Sequence, residues 1–394
     1  MSKRHTLKTL AAAAALALAG IAPQAVAQES LKIGLILPMT GPFASTGRQI
    51  DAAVKLYMAR HGDKVAGKKV EVILKDDGGV ADQTRRIAQE LIVNDKVVAL
   101  AGFGLTPLAF ATAPIATQSK TPMVVMAAAT SVIPERSPFI VRSGFTIPQI
   151  TTPIADWAAK NGIKNVVTLV SDYGPGQDAE KWFKSQFLLN GGKVTAELRV
   201  PVANPDFAPF LQRVRDAKPD ALFVFLPSGV GAAFMKQFAE RGLAQAGIKL
   251  IATGDVTDDD ILNGMGEAAL GVVTSFHYSA AHPSAMNKKY VADIAKANNG
   301  LRANFHGVGG YDGMRVILEG LKATKGQGGE ALLNAMKGQV FESPRGQIMI
   351  DAQTRDVVQD VYIRKVERVA AMNNELWNVE FDVVKSVKDP AKTK

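Results

Sequence analysis

A short segment in the first third of the chain has the residue types of an anion-binding corner. Gly102 and Gly104 precede Thr106 and Pro107, where a strand is predicted to end and a helix to begin. Threonine is a common helix cap, and proline suits the first helical position. Free N–H groups at a helix N-terminus attract anions, and glycines let the backbone approach them closely. The segment predicts a carboxylate-binding corner, with an ordinary capped helix as the alternative.

A second candidate group is the carboxyl of Asp255 in the other half of the chain. It follows a predicted strand and a glycine, a position from which it could face a ligand ammonium or hydroxyl group. The alternative is a helix cap, because Thr257 and the aspartates at 258–260 are typical of a helix start. The sequence leaves both interpretations open.

Catalytic and metal-binding patterns are missing from the sequence. There is no Gly-x-Ser-x-Gly nucleophile elbow and no phosphate-binding loop, and Gly102-Phe103-Gly104 lacks the third glycine of a dinucleotide fingerprint. The histidines lack metal-ligand spacing. Because the chain has no cysteine, disulfides, thiolate metal sites and cysteine nucleophiles are excluded. We predict no enzyme activity, no cofactor and no metal.

Alternating strands and helices must position these loops. The chain has 394 residues, of which 47% are hydrophobic and 21% charged, as in an ordinary globular protein of two domains. Strand and helix patterns alternate from residue 31 and again from about residue 145, which predicts an α/β fold of two doubly wound lobes. Ligands of such lobes bind beyond the carboxyl ends of the strands. That rule selects the loops at 38–47, 102–107, 127–131, 171–176, 227–229 and 253–257.

The first 27 residues predict a secretory signal peptide. Lys3, Arg4 and Lys8 precede a short apolar run over 10–22, and Ala25-Val26-Ala27 forms a small-x-small cleavage pattern. A membrane anchor is the alternative, but the run is short of the ~20 residues that span a bilayer. Since no cysteine can carry a lipid anchor, we predict a periplasmic protein that is not membrane-inserted after processing. The formal charge of +9 is spread along the chain, so nucleic-acid binding is not predicted.

Five segments along the chain, taken together, carry a family resemblance. They are the strand and loop at 33–47, the turn at 76–79, the segment at 122–130, Asp172-Tyr173-Gly174, and the late helix start Gly310-Tyr311-Asp312. In order and spacing they resemble the branched-chain amino-acid type of periplasmic binding proteins of ABC transporters, over 31–384. The resemblance implies two lobes joined by a three-crossover hinge. The residue ranges that it implies are a signal peptide at 1–27, lobe 1 at 28–143 plus 276–345, lobe 2 at 144–275 plus 346–385, and a tail at 386–394.

The resemblance also implies which residues bind the ligand. The corner of lobe 1 would hold a carboxylate, Tyr173 would close over the ligand from lobe 2, and Asp255 would face an ammonium group. The alignment leaves open whether Ala129 or Thr130 takes the family's threonine position. The predicted ligand-binding residues are Phe43, Thr46, Phe103, Gly104, Leu105, Thr106, Ala127, Ala128, Ala129, Thr130, Tyr173, Ser228, Asp255 and Tyr311.

Two departures from the family pattern bear on the ligand. Thr46 stands where the family often has an aromatic residue, and the residues at 103–106 replace its usual serine run. The pocket wall is then more apolar, so aromatic or aliphatic acids fit as well as branched-chain or other amino acids. We predict a receptor that delivers a small carboxylate-bearing ligand to the permease subunits of an ABC importer. A ligand sensor of the same fold and an exported hydrolase are the alternatives.

Overall fold

The computed structural model describes residues 30–202 and 204–392. Within them the strands form two separate sheets, which confirms the predicted α/β fold of two lobes. The predicted signal peptide at 1–27 lies outside the described residues. Among the helices in the described ranges, none combines the length and the apolar character needed to span a bilayer.

The first sheet is formed by the strands between residues 31 and 142. Those strands are β1 (Leu31–Leu37), β2 (Lys64–Val65), β3 (Lys68–Asp76), β4 (Ala99–Gly102), β5 (Met123–Val125) and β6 (Ile140–Arg142). They lie in the order β2-β3-β1-β4-β5-β6, and every pair except β2–β3 is parallel. The aliphatic side chains of β1, β4 and β5 are buried, as expected for a parallel sheet covered on both faces. The helices of this stretch are α1 (Ala44–His61), α2 (Ala81–Val93) and α3 (Thr106–Ser119).

The second sheet has nine strands. They are β7 (Asn165–Ser171), β8 (Lys193–Val200), β9 (Ala221–Phe225), β10 (Lys249–Thr253), β11 (Val273–Phe276), β12 (Val340–Ser343), β13 (Gly346–Ile350), β14 (Val357–Val369) and β15 (Glu375–Val387). Their order is β12-β13-β14-β11-β10-β9-β7-β8, with β15 paired to β14. The strands from β7 to β11 are parallel, and the later ones are antiparallel.

Helices cover this second sheet and also return to the first. The remaining helices are α4 (Ile147–Lys160), α5 (Gly174–Leu189), α6 (Ala208–Ala217), α7 (Ser228–Glu240), α8 (Ala285–Ala297), α9 (Phe305–Ala323) and α10 (Gly329–Met336). Helices α8 and α9 pack against α1, so the chain crosses between lobes after β6, after β11 and after α10. These are the three crossovers of the predicted hinge. Strand β12 falls inside the range 276–345 predicted for lobe 1 but pairs with β13 of the second sheet, so the predicted limit at 345 is corrected to lie before β12, and the other limits stay predictions.

Helix α9 begins at Phe305, ahead of the helix start expected at Gly310. The side chain of Asn304 caps it by accepting a hydrogen bond from the N–H of Gly307 at 3.1 Å. Glycines have low helix propensity, yet the packing here requires them. A Cβ atom on Gly309 would lie 2.3 Å from the carbonyl oxygen of Met126 in lobe 1. Close packing against lobe 1 therefore overrides the local preference.

A buried ion pair ties α9 to the second sheet beside the hinge. An Nη2 atom of Arg345 lies 2.8 Å from Oδ2 of Asp312, and both side chains are almost completely buried. The same guanidinium donates to the carbonyl oxygen of Gly144 and to the amide oxygen of Gln359, each at 2.7 Å. Arg345 lies in the turn between β12 and β13 and Gly144 in the first crossover, so one side chain ties the second sheet to a hinge segment and to α9.

Candidate ligand-binding site

A cavity lies between the two sheets, and its empty space, including the part open to solvent, is about 450 Å³. Loops at the carboxyl ends of strands from both lobes line it, as the strand-end rule predicts. The lining residues are Phe43, Thr46, Gly104, Leu105, Thr106, Ala127, Ala128, Ala129, Phe145, Ile147, Tyr173, Pro175, Phe225, Pro227, Ser228, Asp255 and His306.

The two lobes meet around this cavity. The hydroxyl of Ser45 in lobe 1 donates to Oδ2 of Asp260 in lobe 2 at 2.9 Å. On another side the N–H of Ser131 donates to Oδ2 of Asp178 at 2.9 Å. A Cβ atom on Gly174 of lobe 2 would lie only 2.9 Å from a hydroxyl of lobe 1. The structure therefore shows the closed arrangement of the hinge.

The start of α3 and the loop after β5 form one end of the cavity, here called the anion corner (residues 104–106 and 127–130). Leu105 is the N-cap of α3, and no side chain among the described residues caps it. The prediction that Thr106 caps this helix was wrong, because Thr106 is already helical and its hydroxyl lies 2.8 Å from that of Thr130. Pro107 has no N–H, and the N–H groups of Leu108 and Ala109 donate to the carbonyl oxygen of Leu105, so the N–H of Thr106 and the helix dipole are what suit this end to an anion.

Two residues in the left-handed region turn the chain sharply from β4 into the anion corner. Gly102 has φ +110°, and a Cβ there would lie 2.3 Å from the carbonyl oxygen of Ile36. Phe103 has φ +65° and is fully buried. Its side chain packs in the core rather than lining the cavity, and its carbonyl oxygen accepts from the N–H of Ala128 at 3.0 Å. Phe103, predicted to touch the ligand, instead shapes the loop that lines the cavity.

The alanines of the anion corner keep the backbone accessible. Ala127, Ala128 and Ala129 all line the cavity, and their small side chains leave the peptide groups close to any occupant. Thr130 does not line the cavity and reaches it only through the hydroxyl of Thr106. Of the two positions that the sequence alignment left open, Ala129 is therefore the one at the cavity wall.

Asp255 lies in the part of the wall that comes from lobe 2. Its side chain is buried, and Oδ2 has no hydrogen-bond partner within the described ranges. Burial raises the pKa of the carboxyl to about 7, although the Arg364 guanidinium lowers it in part. The helix-cap interpretation was wrong, because the next helical segment begins at Leu262. A carboxyl in this state can donate to, or accept from, a ligand hydroxyl.

His306 completes the cavity and was missed in the sequence. Its Nε2 lies 3.3 Å from the hydroxyl of Thr46 and 3.4 Å from that of Ser228, while Nδ1 has no partner among the described residues. Burial lowers the pKa of His306 to about 3, so the ring is neutral at physiological pH. The expected helix start at Gly310 left His306 in a loop; the capping residue Asn304 was the signal that could have placed it in a first helical turn.

Aromatic side chains form the walls between these polar groups. Phe43, Phe145, Tyr173 and Phe225 all line the cavity, and the rings of Tyr173 and Phe225 have centroids 6.2 Å apart. Phe225 was missed because it lies just before the selected loop at 227–229, and Phe145 because it follows β6, a short strand that the sequence patterns did not predict. Flat apolar walls with polar groups between them fit a planar ligand.

The structure places Tyr311 away from this cavity. Its ring centroid lies 4.9 Å from that of Tyr57, and its hydroxyl accepts from Nη1 of Arg60 at 3.1 Å. It packs α9 against α1, so its predicted ligand contact is corrected to a packing role. Within the described residues, no group of three acids or histidines lies close enough to hold a metal ion.

The buried histidine gives the protein a measurable pH dependence. The folded pKa of about 3 lies below the ordinary value of 6.5, so the unfolded chain takes up a proton first as the pH falls. The stability that the neutral ring contributes is fully present above pH 6.5 and is lost as the pH falls from 6.5 towards 3. Relative to His306→Gln, we expect the wild type to lose about 2–3 kcal/mol between pH 7 and pH 4.5, measured by urea unfolding.

The control for this prediction is Asp255→Asn. The pKa of Asp255 is raised from 3.8 to about 7, so this group has the opposite sign and its stability contribution falls as the pH rises between those values. Relative to Asp255→Asn, the wild type should lose stability as the pH rises. A stability difference between wild type and His306→Gln that does not change with pH would contradict the histidine assignment.

Comparison with known proteins gives the family of the chain. The model of the periplasmic binding protein family matches residues 30–371. The Leu/Ile/Val-binding protein homolog 6 of Brucella melitensis is 43% identical over 380 residues, which cover 95% of this chain and 97% of the relative. Both matches confirm the resemblance found in the sequence.

Solved structures agree in fold. A solute-binding protein of an ABC transporter from Rhodopseudomonas palustris BisB5, in complex with 3,4-dihydroxybenzoic acid, is 62% identical, with TM-score 0.90 over 92% of this chain and 99% of that one. A second solute-binding protein of an ABC transporter, from R. palustris HaA2 and in complex with p-hydroxybenzoic acid, is 40% identical, with TM-score 0.89 and the same coverage of both chains. Together with the closed two-lobe architecture, these matches show that the chain belongs to the periplasmic binding protein family.

Proposed function

We propose that this protein is the solute-binding receptor of an ABC importer and that its ligand is a hydroxylated benzoate. The observation that carries the proposal is the neutral ring of His306, held beside two hydroxyls in a cavity with aromatic walls. The R. palustris proteins at 62% and 40% identity, in complex with such acids, support it.

The carboxylate of the ligand would lie in the anion corner. There the first turn of α3 offers the N–H of Thr106, since those of Leu108 and Ala109 donate to the carbonyl oxygen of Leu105, and the hydroxyl of Thr106 lies beside it. No arginine or lysine lines the cavity in the described structure, so backbone dipoles would supply the attraction. The raised pKa of Asp255 limits repulsion of a second negative charge in the same cavity.

A ring hydroxyl would then meet His306, Ser228 or Asp255. The free Nδ1 of His306 and the free Oδ2 of Asp255 are buried groups without partners among the described residues. Leaving such a group unpaired costs about 1–3 kcal/mol, so a ligand hydroxyl that reaches it gains that much in selectivity. A leucine side chain would satisfy neither group, although its ammonium could face Asp255.

Calorimetry of the mature protein tests this assignment. We expect 4-hydroxybenzoate and 3,4-dihydroxybenzoate to bind at least about tenfold more tightly than benzoate or leucine, because only they pair the buried polar groups. His306→Phe should weaken binding of 4-hydroxybenzoate by about 10- to 100-fold and leave benzoate nearly unchanged.

His306→Gln is the matched control, since an amide keeps both a donor and an acceptor and should retain most of the preference. Tighter binding of leucine than of every aromatic acid would overturn the proposal in favour of branched-chain amino acids, which the name of the Brucella relative suggests. Turnover of an aromatic ester would instead revive the hydrolase alternative.

The cellular role follows from the family. Periplasmic binding proteins are binding proteins rather than enzymes, and we propose that this one acts in the periplasm after cleavage behind Ala27. Delivery to permease subunits, rather than signalling by a sensor of the same fold, is supported by the likeness to ABC transporter proteins. Uptake of labelled 4-hydroxybenzoate by cells with and without the gene separates transport from sensing.

A further inference from the structure

A buried arginine lies directly behind the anion corner. The side chain of Arg142 is fully buried. Its Nη1 donates to the carbonyl oxygen of Thr130 and its Nη2 to that of Ser131, both at 3.0 Å. Nη1 also reaches the carbonyl oxygens of Ala128 and Phe145, each at 3.3 Å. One guanidinium thus binds the backbone of the loop whose other side lines the cavity.

These bonds fix the direction of the peptide groups in the loop. In a trans peptide the N–H points opposite to the carbonyl oxygen. Because the carbonyl of Ala128 faces Arg142, the N–H of Ala129 in the same peptide group points away from the guanidinium. Ala129 lines the cavity, so Arg142 holds this loop with the N–H of Ala129 pointing away from the guanidinium charge.

The end of the chain holds the arginine in turn. Nε of Arg142 donates to Oδ1 of Asp356 at 2.7 Å, and the other oxygen of Asp356 binds the ammonium group of Lys392. The hydroxyl of Ser131 donates to Oδ2 of Asp389 at 2.6 Å. The side chain of Asp356 is buried, and that of Lys392 is largely so, with 9% of its surface exposed. The C-terminal residues therefore support the anion corner through the arginine and through Ser131.

We propose that Arg142 is a positioning residue for the ligand carboxylate, and that Asp389 and Lys392 hold it and its loop in place. The inference rests on the proposed function, because it requires an acid at the anion corner. Arg142 does not line the cavity, so it acts through the peptide groups that it orients. The end of the chain is then part of the ligand-binding apparatus.

The test compares an acid with its neutral amide. Calorimetry with 4-hydroxybenzoate and 4-hydroxybenzamide gives the preference of the wild type for a carboxylate. The double variant Asp389→Ala/Lys392→Met should bind the acid about tenfold more weakly, because charge-assisted bonds that orient the corner are lost, while amide binding changes little. Arg142→Lys, which keeps the charge but not the fork of donors, should lose the preference further.

A matched control lies a few residues earlier in the chain. Lys385→Met removes an exposed ion pair with Asp360, 2.7 Å in length, and should leave both affinities unchanged. An equal loss of acid and amide binding in the double variant, with a lower melting temperature, would show that Asp389 and Lys392 only stabilise the fold. That result would overturn the inference. Unchanged acid binding would overturn it as well.

The inference can fail separately from the proposed function. If wild type binds leucine instead of 4-hydroxybenzoate, the ligand assignment fails. Leucine and leucinamide are then measured on the same variants in place of the aromatic acid and amide, because these two ligands also differ only in the carboxylate. A selective loss of leucine binding would support the positioning role, and an equal loss of both would refute it.

Discussion

Replacing Gly174 with valine is expected to raise the dissociation constant for 4-hydroxybenzoate by about 5- to 150-fold, since overpacking at a tight contact costs about 1–3 kcal/mol. A Cβ atom at this position would lie 2.9 Å from the hydroxyl oxygen of Thr130 and 3.7 Å from Cγ2 of Thr106, across the cleft. The two threonine hydroxyls lie 2.8 Å from each other, so Thr130 cannot turn away without breaking that bond. The clash exists only when the lobes meet, so the penalty falls on closure.

Calorimetry and small-angle scattering check this result together. The Gly174→Val protein should keep the melting temperature of the ligand-free wild type and should stay expanded when 4-hydroxybenzoate is added. Lys181→Ala, an exposed position on the same helix α5, is the control and should behave as wild type. Normal affinity together with normal compaction in Gly174→Val would show that this contact does not limit closure.

Replacing Arg345 with methionine is expected to lower the free energy of unfolding by about 3–5 kcal/mol, the usual cost of leaving one partner of a buried ion pair alone. Asp312 would remain buried without its counter-charge, and the carbonyl oxygen of Gly144 would lose a donor at the first crossover. Urea unfolding at neutral pH measures the loss. Because the arginine ties the second sheet to the first crossover and to α9, the variant should also bind 4-hydroxybenzoate less tightly.

The double variant Arg345→Met/Asp312→Leu separates charge from shape. Removing both charges abolishes the unpaired carboxylate, so a large part of the lost stability should return. If the double variant is as unstable as the single one, the packing of the hinge rather than the buried charge determines its stability, and the ion-pair explanation is wrong.

Much of the site could be predicted because parallel strands end at one edge of a sheet. That rule selected the loops that carry Thr106, Tyr173, Ser228 and Asp255 from four distant parts of the chain, and all four line one cavity. Ala127, Ala128 and Ala129 follow from the same rule, without any chemical signal of their own. The two-lobe fold was predictable from the alternation of strands and helices.

The remaining features depend on tertiary packing that local patterns do not encode. His306 was missed because the glycines after it disfavour a helix, although the backbone of lobe 1 admits no larger residue at Gly309. Phe225 was missed because the last residue of a buried strand looks like ordinary core. Arg142 gave no signal at all, since its role depends on Asp356 and Lys392, more than half the chain away.

The polar pairs between the lobes have a kinetic consequence. We expect a solute in this cavity to leave more slowly while Ser45 stays bonded to Asp260 and the N–H of Ser131 to Asp178. None of these four side chains lines the cavity in the described structure, so residues outside the cavity wall would contribute to the residence time of the solute. A membrane partner that separated these two pairs would speed release of the solute without contacting it.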